Sequence, residues 1–161
     1  MIIGDKFEFA VEYSFAKDYP KEMGYGRIWV KNDFIGTFND LIYLNGYLIE
    51  ILNKFKGANQ LRDDLRHLAK DQLFDLLSSG KYDYSDKYLV RGSTFTDDFS
   101  IWTYKLANLT FILWKVLRTD FFDDLRNYKS DVILKSIPTD ILVDVVNRLE
   151  TEFKDNGIIK V

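Results

Sequence analysis

The 161-residue chain contains no cysteine. That removes disulfides, zinc–thiolate sites and cysteine nucleophiles together, and it suits a reducing compartment. No apolar run is long enough to span a bilayer. The best, Leu106 to Leu117, is interrupted by Asn108, Thr110 and Lys115. The first residues, Met1 to Asp5, have neither the basic start nor the apolar stretch of a secretory signal. Surplus positive charge is missing too. The formal net charge is −3, whereas a nucleic-acid binder wants a clustered basic surface. These absences point to a soluble, cytoplasmic protein that does not itself contact nucleic acid or membrane. No metal or cofactor is expected, and the oligomeric state is left open.

What the chain does have is apolar and aromatic material. The hydrophobic fraction is 47% and the aromatic fraction 16%, with 13 Phe and 10 Tyr. A chain of this length hides about two thirds of its unfolded surface on folding, so one domain over residues 1–161 is expected. Some tyrosines belong at the surface, because a buried hydroxyl needs a partner.

Lys6 to Phe15 alternates: Phe7, Phe9, Val11, Tyr13 and Phe15 on one side, Lys6, Glu8, Ala10, Glu12 and Ser14 on the other. Period two with one polar face predicts a half-buried strand. A loop through Pro20 leads to strands at Tyr25–Val30 and Phe34–Phe38, turning at Lys31–Asp33, where Asn and Asp tolerate positive φ. Gly24, Gly26 and Gly36 mark bends or a bulge. These strands form an antiparallel meander. Helices are predicted from Asn39 or Asp40 to Phe55, with Gly57 as its stop, from Leu61 to Leu77, from Thr119 or Asp120 to Tyr128, and over Asp140–Asp155. The last carries a stripe of Ile141, Leu142, Val145, Val146, Leu149 and Phe153, with Thr139 as its cap. Strands are read at Phe99–Lys105 and Leu109–Val116, turning at Ala107–Asn108, although the leucine spacing there also suits a helix. A further strand is read at Asp131–Ile137, and the tail Ile158–Val161 is expected to dock on the sheet. The fold class is α+β, an antiparallel sheet packed against several helices.

No catalytic constellation is visible. His67, the one histidine, has Asp64 three residues before it and Asp71 four after it. That is a base with orienting carboxylates on one reading and a solvated helix face on the plainer one. Asp63–Asp64, Asp97–Asp98 and Asp123–Asp124 are carboxylate pairs, but neighbours on a helix do not face each other; two of the pairs sit near predicted helix starts, which attract acids anyway, whereas Asp97–Asp98 precedes a strand and lacks that explanation. Gly24-Tyr-Gly26 lacks the rest of a phosphate cradle. Trp29, Trp102 and Trp114 are read as core or rim packing ahead of binding anchors.

The N-terminal third carries a pattern. Ile3-Gly4-Asp5 leads into Phe7-x-Phe-x-Val-x-Tyr13, then a glycine, a strand with Trp29, a turn through Asn32, and Ile35-Gly36 before a leucine-rich helix. Over the first third to half of the chain this resembles the immunity protein 42 family of bacterial polymorphic-toxin and contact-dependent growth-inhibition systems. Family members usually have a glycine after the turn asparagine; here Asp33 stands there. The resemblance implies a cytosolic protein that binds the toxic C-terminal domain of a cognate effector, often a nuclease, and blocks its active site or substrate path. It implies no catalytic residues. For a toxin interface, the acidic and tyrosine residues outside the predicted cores are the candidates: Tyr82, Asp83, Tyr84, Asp86, Asp97 and Asp98, then Asp123 and Asp124. The alternatives are a small enzyme or ligand-binding domain with a pocket near His67, and a structural adaptor.

Overall fold

The alternating aromatic row does form a strand, but it starts later than the pattern suggests. The computed structural model, which describes residues 1–159, places strand β1 at Ile2–Asp5 and β2 at Phe9–Phe15. Between them the chain reverses. Glu8 N–H donates to the Asp5 carbonyl at 3.0 Å, and Phe7 N–H to the Asp5 carboxylate at 2.9 Å. Phe7 therefore leaves the core row and is 73% exposed, while Phe9, Val11 and Tyr13 are buried. Strand β1, four residues including a glycine, has too little periodicity to be read from sequence.

Strands β3 (Met23–Val30) and β4 (Asp33–Ile35) complete a meander in the order β1-β2-β3-β4, antiparallel throughout. Val30 faces Asp33, so Lys31 and Asn32 form the loop, with φ of 46° and 68°. Two successive positive φ values are what a type I′ hairpin turn requires. Gly24 and Gly26 lie on the buried side of β3. A Cβ at Gly24 would sit 2.9 Å from Leu44 Cδ1, and one at Gly26 would sit 3.1 Å from Leu48 Cδ2. These glycines let the next segment press onto the strand.

That segment is not the one helix expected. β4 pairs only with residues 28–30 of β3, which leaves the start of β3 open, and the short strand β5 (Ile42–Tyr43) pairs there. A π-helical turn covers Leu44–Leu48, and α1 runs over Ile49–Lys56 with Gly57 at its end. Of the leucine-rich stripe Leu41, Leu44, Leu48, Leu52 and Phe55, with Ile51 beside it, all but the half-buried Leu41 are buried.

The later strands form their own antiparallel sheet: β6 (Leu89–Val90), β7 (Phe99–Leu106), β8 (Leu109–Val116) and β9 (Ile133–Pro138), in that order. Leu106 faces Leu109, so the hairpin turns at Ala107–Asn108 and the helical reading of this stretch falls. The helix expected from Leu61 begins only at Lys70, as α2 (Lys70–Ser78). Its predicted first turns are drawn elsewhere. Lys105 N–H donates to the Asn59 carbonyl at 2.8 Å and Leu61 N–H to the Lys105 carbonyl at 3.0 Å, covering the edge of β7. The helix expected through Tyr128 shrinks to a 3₁₀ turn at Asp123–Leu125.

Helix α3 (Thr139–Asp155) follows β9 directly. Thr139 does not cap it; its hydroxyl bonds that of Thr110 at 2.9 Å. Gly157, at φ 66°, ends the helix, with Ile158 N–H on the Phe153 carbonyl at 2.8 Å and Gly157 N–H on that of Lys154 at 2.9 Å. This pair of bonds is a Schellman motif. Ile158 is buried in the core, as expected of the tail; residues 160 and 161 lie outside the described residues. Ile141 departs from the stripe and is 38% exposed, whereas Leu142, Val145, Val146, Leu149 and Phe153 are buried.

One face of each sheet closes on a shared core with α1 and α3. Phe9, Val11, Ile28 and Val30 meet Ile101, Ile112 and Trp114 there, with Phe55 and Phe153 from the helices. On the other face of the second sheet, Trp102, Tyr104 and Leu113 pack with Leu73, Phe74 and Leu77 of α2. Polar atoms trapped between the sheets are paired across them. Trp114 Nε1 donates to the Tyr128 hydroxyl at 2.9 Å, and that hydroxyl donates to the Phe34 carbonyl. Burial pushes the Tyr128 pKa up. Asp33 accepts from Lys129 at 2.6 Å and Lys135 at 2.7 Å. Burial acts to raise its pKa, but hydrogen bonds from the two ammonium groups outweigh that and hold it below the usual range.

Two expectations follow from these cross-sheet pairs. Tyr128→Phe strands a buried N–H and a carbonyl, so urea unfolding should show a loss of about 1–3 kcal/mol. Because the folded-state pKa of Asp33 is depressed, its stabilisation is full above the unfolded value of about 3.9 and is lost as pH falls through the folded value. The stability gap between wild type and Asp33→Asn should thus hold steady from neutral pH to about 4 and narrow below it. A gap that widens in acid would contradict the assignment.

Candidate protein-binding face

After α2 the chain turns through Gly80 into a 3₁₀ segment at Asp83–Lys87. Tyr88 anchors it. Its ring is buried, and its hydroxyl donates to the Gln60 carbonyl at 3.0 Å and accepts from Arg62 N–H at 3.1 Å. The short segment holds its neighbours outward: Asp83 and Asp86 are exposed, and Tyr82 is 45% exposed. The Tyr82 ring stacks on Tyr84 at 5.2 Å, and the Arg62 guanidinium lies 4.0 Å over Tyr84. Arg62 is held by Asp64 through two bonds of 3.0 Å, and this hydrogen bonding keeps the Asp64 carboxyl below the usual range.

Three adjoining cavities run along the outer edge of the second sheet, and all are lined by Leu89 and Arg91. One of about 310 Å³ is lined by Tyr82, Asp83, Ser85, Asp86, Ser100 and Trp102 among others. Its neighbour, about 330 Å³, has Asp97 on its wall. The fold thus gathers four of the eight candidate residues, Tyr82, Asp83, Asp86 and Asp97, around one groove. Sequence reasoning missed Leu89, Arg91, Ser100 and Leu117, which also line it together with Trp102, read as packing ahead of a binding anchor. Nothing in their local pattern separates a groove wall from a core strand.

The other four candidates lie elsewhere. Tyr84 is beside the groove, under Arg62. Asp98 is only 5% exposed and receives Arg118 Nε at 2.8 Å. Asp123 stands on a different face and pairs with Arg126 at 2.7 Å, near the exposed Phe121. Asp124 is turned inward. It accepts from Arg27 Nη2 at 2.6 Å, Thr37 Oγ1 at 2.7 Å and Phe38 N–H at 2.8 Å, tying the segment before β9 to the first sheet.

His67 is exposed in the turn before α2, and Asp64 is committed to Arg62. The three groups do not share a helix face and line none of the cavities described above. Among the described residues no cluster of three or more His, Asp or Glu side chains could hold a metal ion, and no helix is long and apolar enough to cross a membrane. The tryptophans pack: Trp114 and Trp102 are buried, and Trp29 donates to Glu12 at 2.7 Å with Lys6 4.2 Å over its ring.

The two members of the Asp123–Asp124 pair should respond differently to alanine. Asp124→Ala leaves Arg27 part-buried and unpaired, with a loss of about 3–5 kcal/mol in urea unfolding. Asp123→Ala, at an exposed i,i+3 pair, should stay within about 0.5 kcal/mol of wild type. Equal effects would refute the division.

The sequence model of the family described as Immunity protein 42 matches residues 1–158. No curated protein matches. Among solved structures, the crystal structure of CdiI from Burkholderia dolosa AUO158 superposes with a TM-score of 0.64 at 11% identity, covering 94% of this chain and 99% of that one. Identity that low speaks for a shared fold. The family match spans both sheets and all three helices, and on that ground the chain belongs to the immunity protein 42 family.

Proposed function

We propose that the chain is a cytoplasmic immunity protein that binds and neutralises the toxic C-terminal domain of a cognate contact-dependent-inhibition effector. The observation that carries this reading is the family match over residues 1–158. The fold likeness to a protein titled CdiI supports it. So does the surface chemistry. An inhibitor needs a rigid, complementary face and no reaction centre, and the exposed acids Asp83, Asp86 and Asp97 suit a basic target. A nuclease is the toxin class that fits best, since a surface built to hold nucleic-acid phosphate is basic. No observation favours an enzyme centred on His67.

The test is co-purification and calorimetry with the toxin domain encoded next to this chain, together with growth of cells producing that domain. A one-to-one complex burying about 1,600 Å² is expected, with growth restored and nucleic acid left intact. His67→Ala should restore growth as well as wild type does. A toxin domain that neither binds nor is silenced would sink the proposal, and so would protection that depends on His67.

A further inference from the structure

The outer edge of the second sheet is unfinished. β6 meets β7 only at Leu89↔Trp102 and Val90↔Ile101. Tyr88 and residues 59–61 cover β7 farther along, at Thr103 and Lys105. Among the described residues, no strand lies beside Phe99 and Ser100 on this edge, and none lies on the far side of β6. The uncovered stretch opens into the cavity floored by Val90, Phe99, Ile101 and Leu117, and Leu117 is 64% exposed.

A second observation concerns polar atoms. Ser85 and Trp102 are 4% and 5% exposed and line the adjoining cavity. Ser85 Oγ and Trp102 Nε1 have no hydrogen-bond partner among the described residues. An unpaired buried group is costly, and native structures rarely leave one without a purpose. Asp83 and Asp86 line the same cavity and Asp97 the adjoining one, none with an ion partner among the described residues. Asp63, Asp64, Asp98, Asp123 and Asp124 each have one. Of the nearby cations, Lys54 is tethered to the Arg91 carbonyl at 2.8 Å. Arg91 itself projects at the rim.

We propose that this groove receives an extended, lysine- or arginine-bearing segment of the toxin domain, laid along the open edge of β6 and β7. The inference rests on the immunity reading and deepens it. An added strand supplies backbone donors and acceptors to the uncovered edge. Its apolar side chains cover Phe99 and Leu117, its cations meet the three free carboxylates, and its acceptors reach the Trp102 indole N–H. The competing surface, around Phe121 and Phe122, is less suited. Its Asp123 is already neutralised by Arg126, and no residue lining it carries an unpaired buried polar atom.

The experiment measures association of the neighbouring toxin domain with wild type and variants at low and high salt, alongside backbone hydrogen exchange of the complex. Wild-type binding tests the immunity reading separately. The triple variant Asp83→Asn, Asp86→Asn, Asp97→Asn should associate about 10-fold more slowly at low salt and converge with wild type at high salt. Arg91→Ala, which removes the opposing charge, should associate faster. New exchange protection should appear at Leu89 and Phe99, whose backbone groups face the open edge. All four side chains are exposed, and an unchanged urea midpoint confirms that each variant folds. A tight wild-type complex whose rates ignore both variants, or whose protection is confined to Phe121 and Phe122, overturns this inference and leaves the immunity reading standing. No wild-type complex overturns both.

Discussion

Two sheets turn their apolar faces toward one another, and the polar atoms caught between them must find partners across the gap. That constraint governs the molecule. Trp114 brings a large ring to the centre of the core and with it an indole N–H that cannot be left dry. The Tyr128 hydroxyl takes it and passes its own proton toward the Phe34 carbonyl of the other sheet. Asp33 meets Lys129 and Lys135, and Arg27 meets Asp124, in the same way. In a medium of low dielectric the Trp114–Tyr128 and Arg27–Asp124 pairs are strong when made and expensive when broken, whereas the Asp33–Lys129 pair stays open to solvent. They fix residues 123–129, a stretch with little regular structure of its own, as the bridge between the sheets.

The same constraint explains which acids remain for a partner. Asp98 and Asp124 were drawn inward to neutralise arginines, and Asp63, Asp64 and Asp123 settled into short-range surface pairs. Of the acids singled out from the sequence, Asp83, Asp86 and Asp97 have no cation partner among the described residues and gather where the second sheet ends in a two-residue edge strand. Most proteins blunt such an edge to avoid unwanted pairing. Here the edge is short and rimmed by charge, which discourages indiscriminate association and suits a partner of complementary charge.

Reading the residues in order recovered the elements whose signal is local. The β2–β3–β4 meander, the β7–β8 hairpin at Ala107–Asn108, and the buried stripe of α3 all follow from period and turn chemistry, which act over a few neighbours. Failures occurred where a distant edge competed for the backbone. Ile42–Tyr43 went to β3 instead of starting a helix, and residues 59–61 went to β7. Phe7 followed the aromatic alternation on paper but sits on a turn, because the unread strand β1 forces a reversal before it.

The candidate face divides along the same line. Composition and pattern alone were enough to establish an α+β chain without cysteine chemistry, a family resemblance, and a set of acids and tyrosines outside the cores, since these depend only on residue type and spacing. Tertiary structure decided that Tyr82, Asp83, Asp86 and Asp97 share a groove while Asp98 and Asp124 are spent inside. A carboxylate's role depends on which cation the fold carries to it, and Arg27 reaches Asp124 from nearly a hundred residues away.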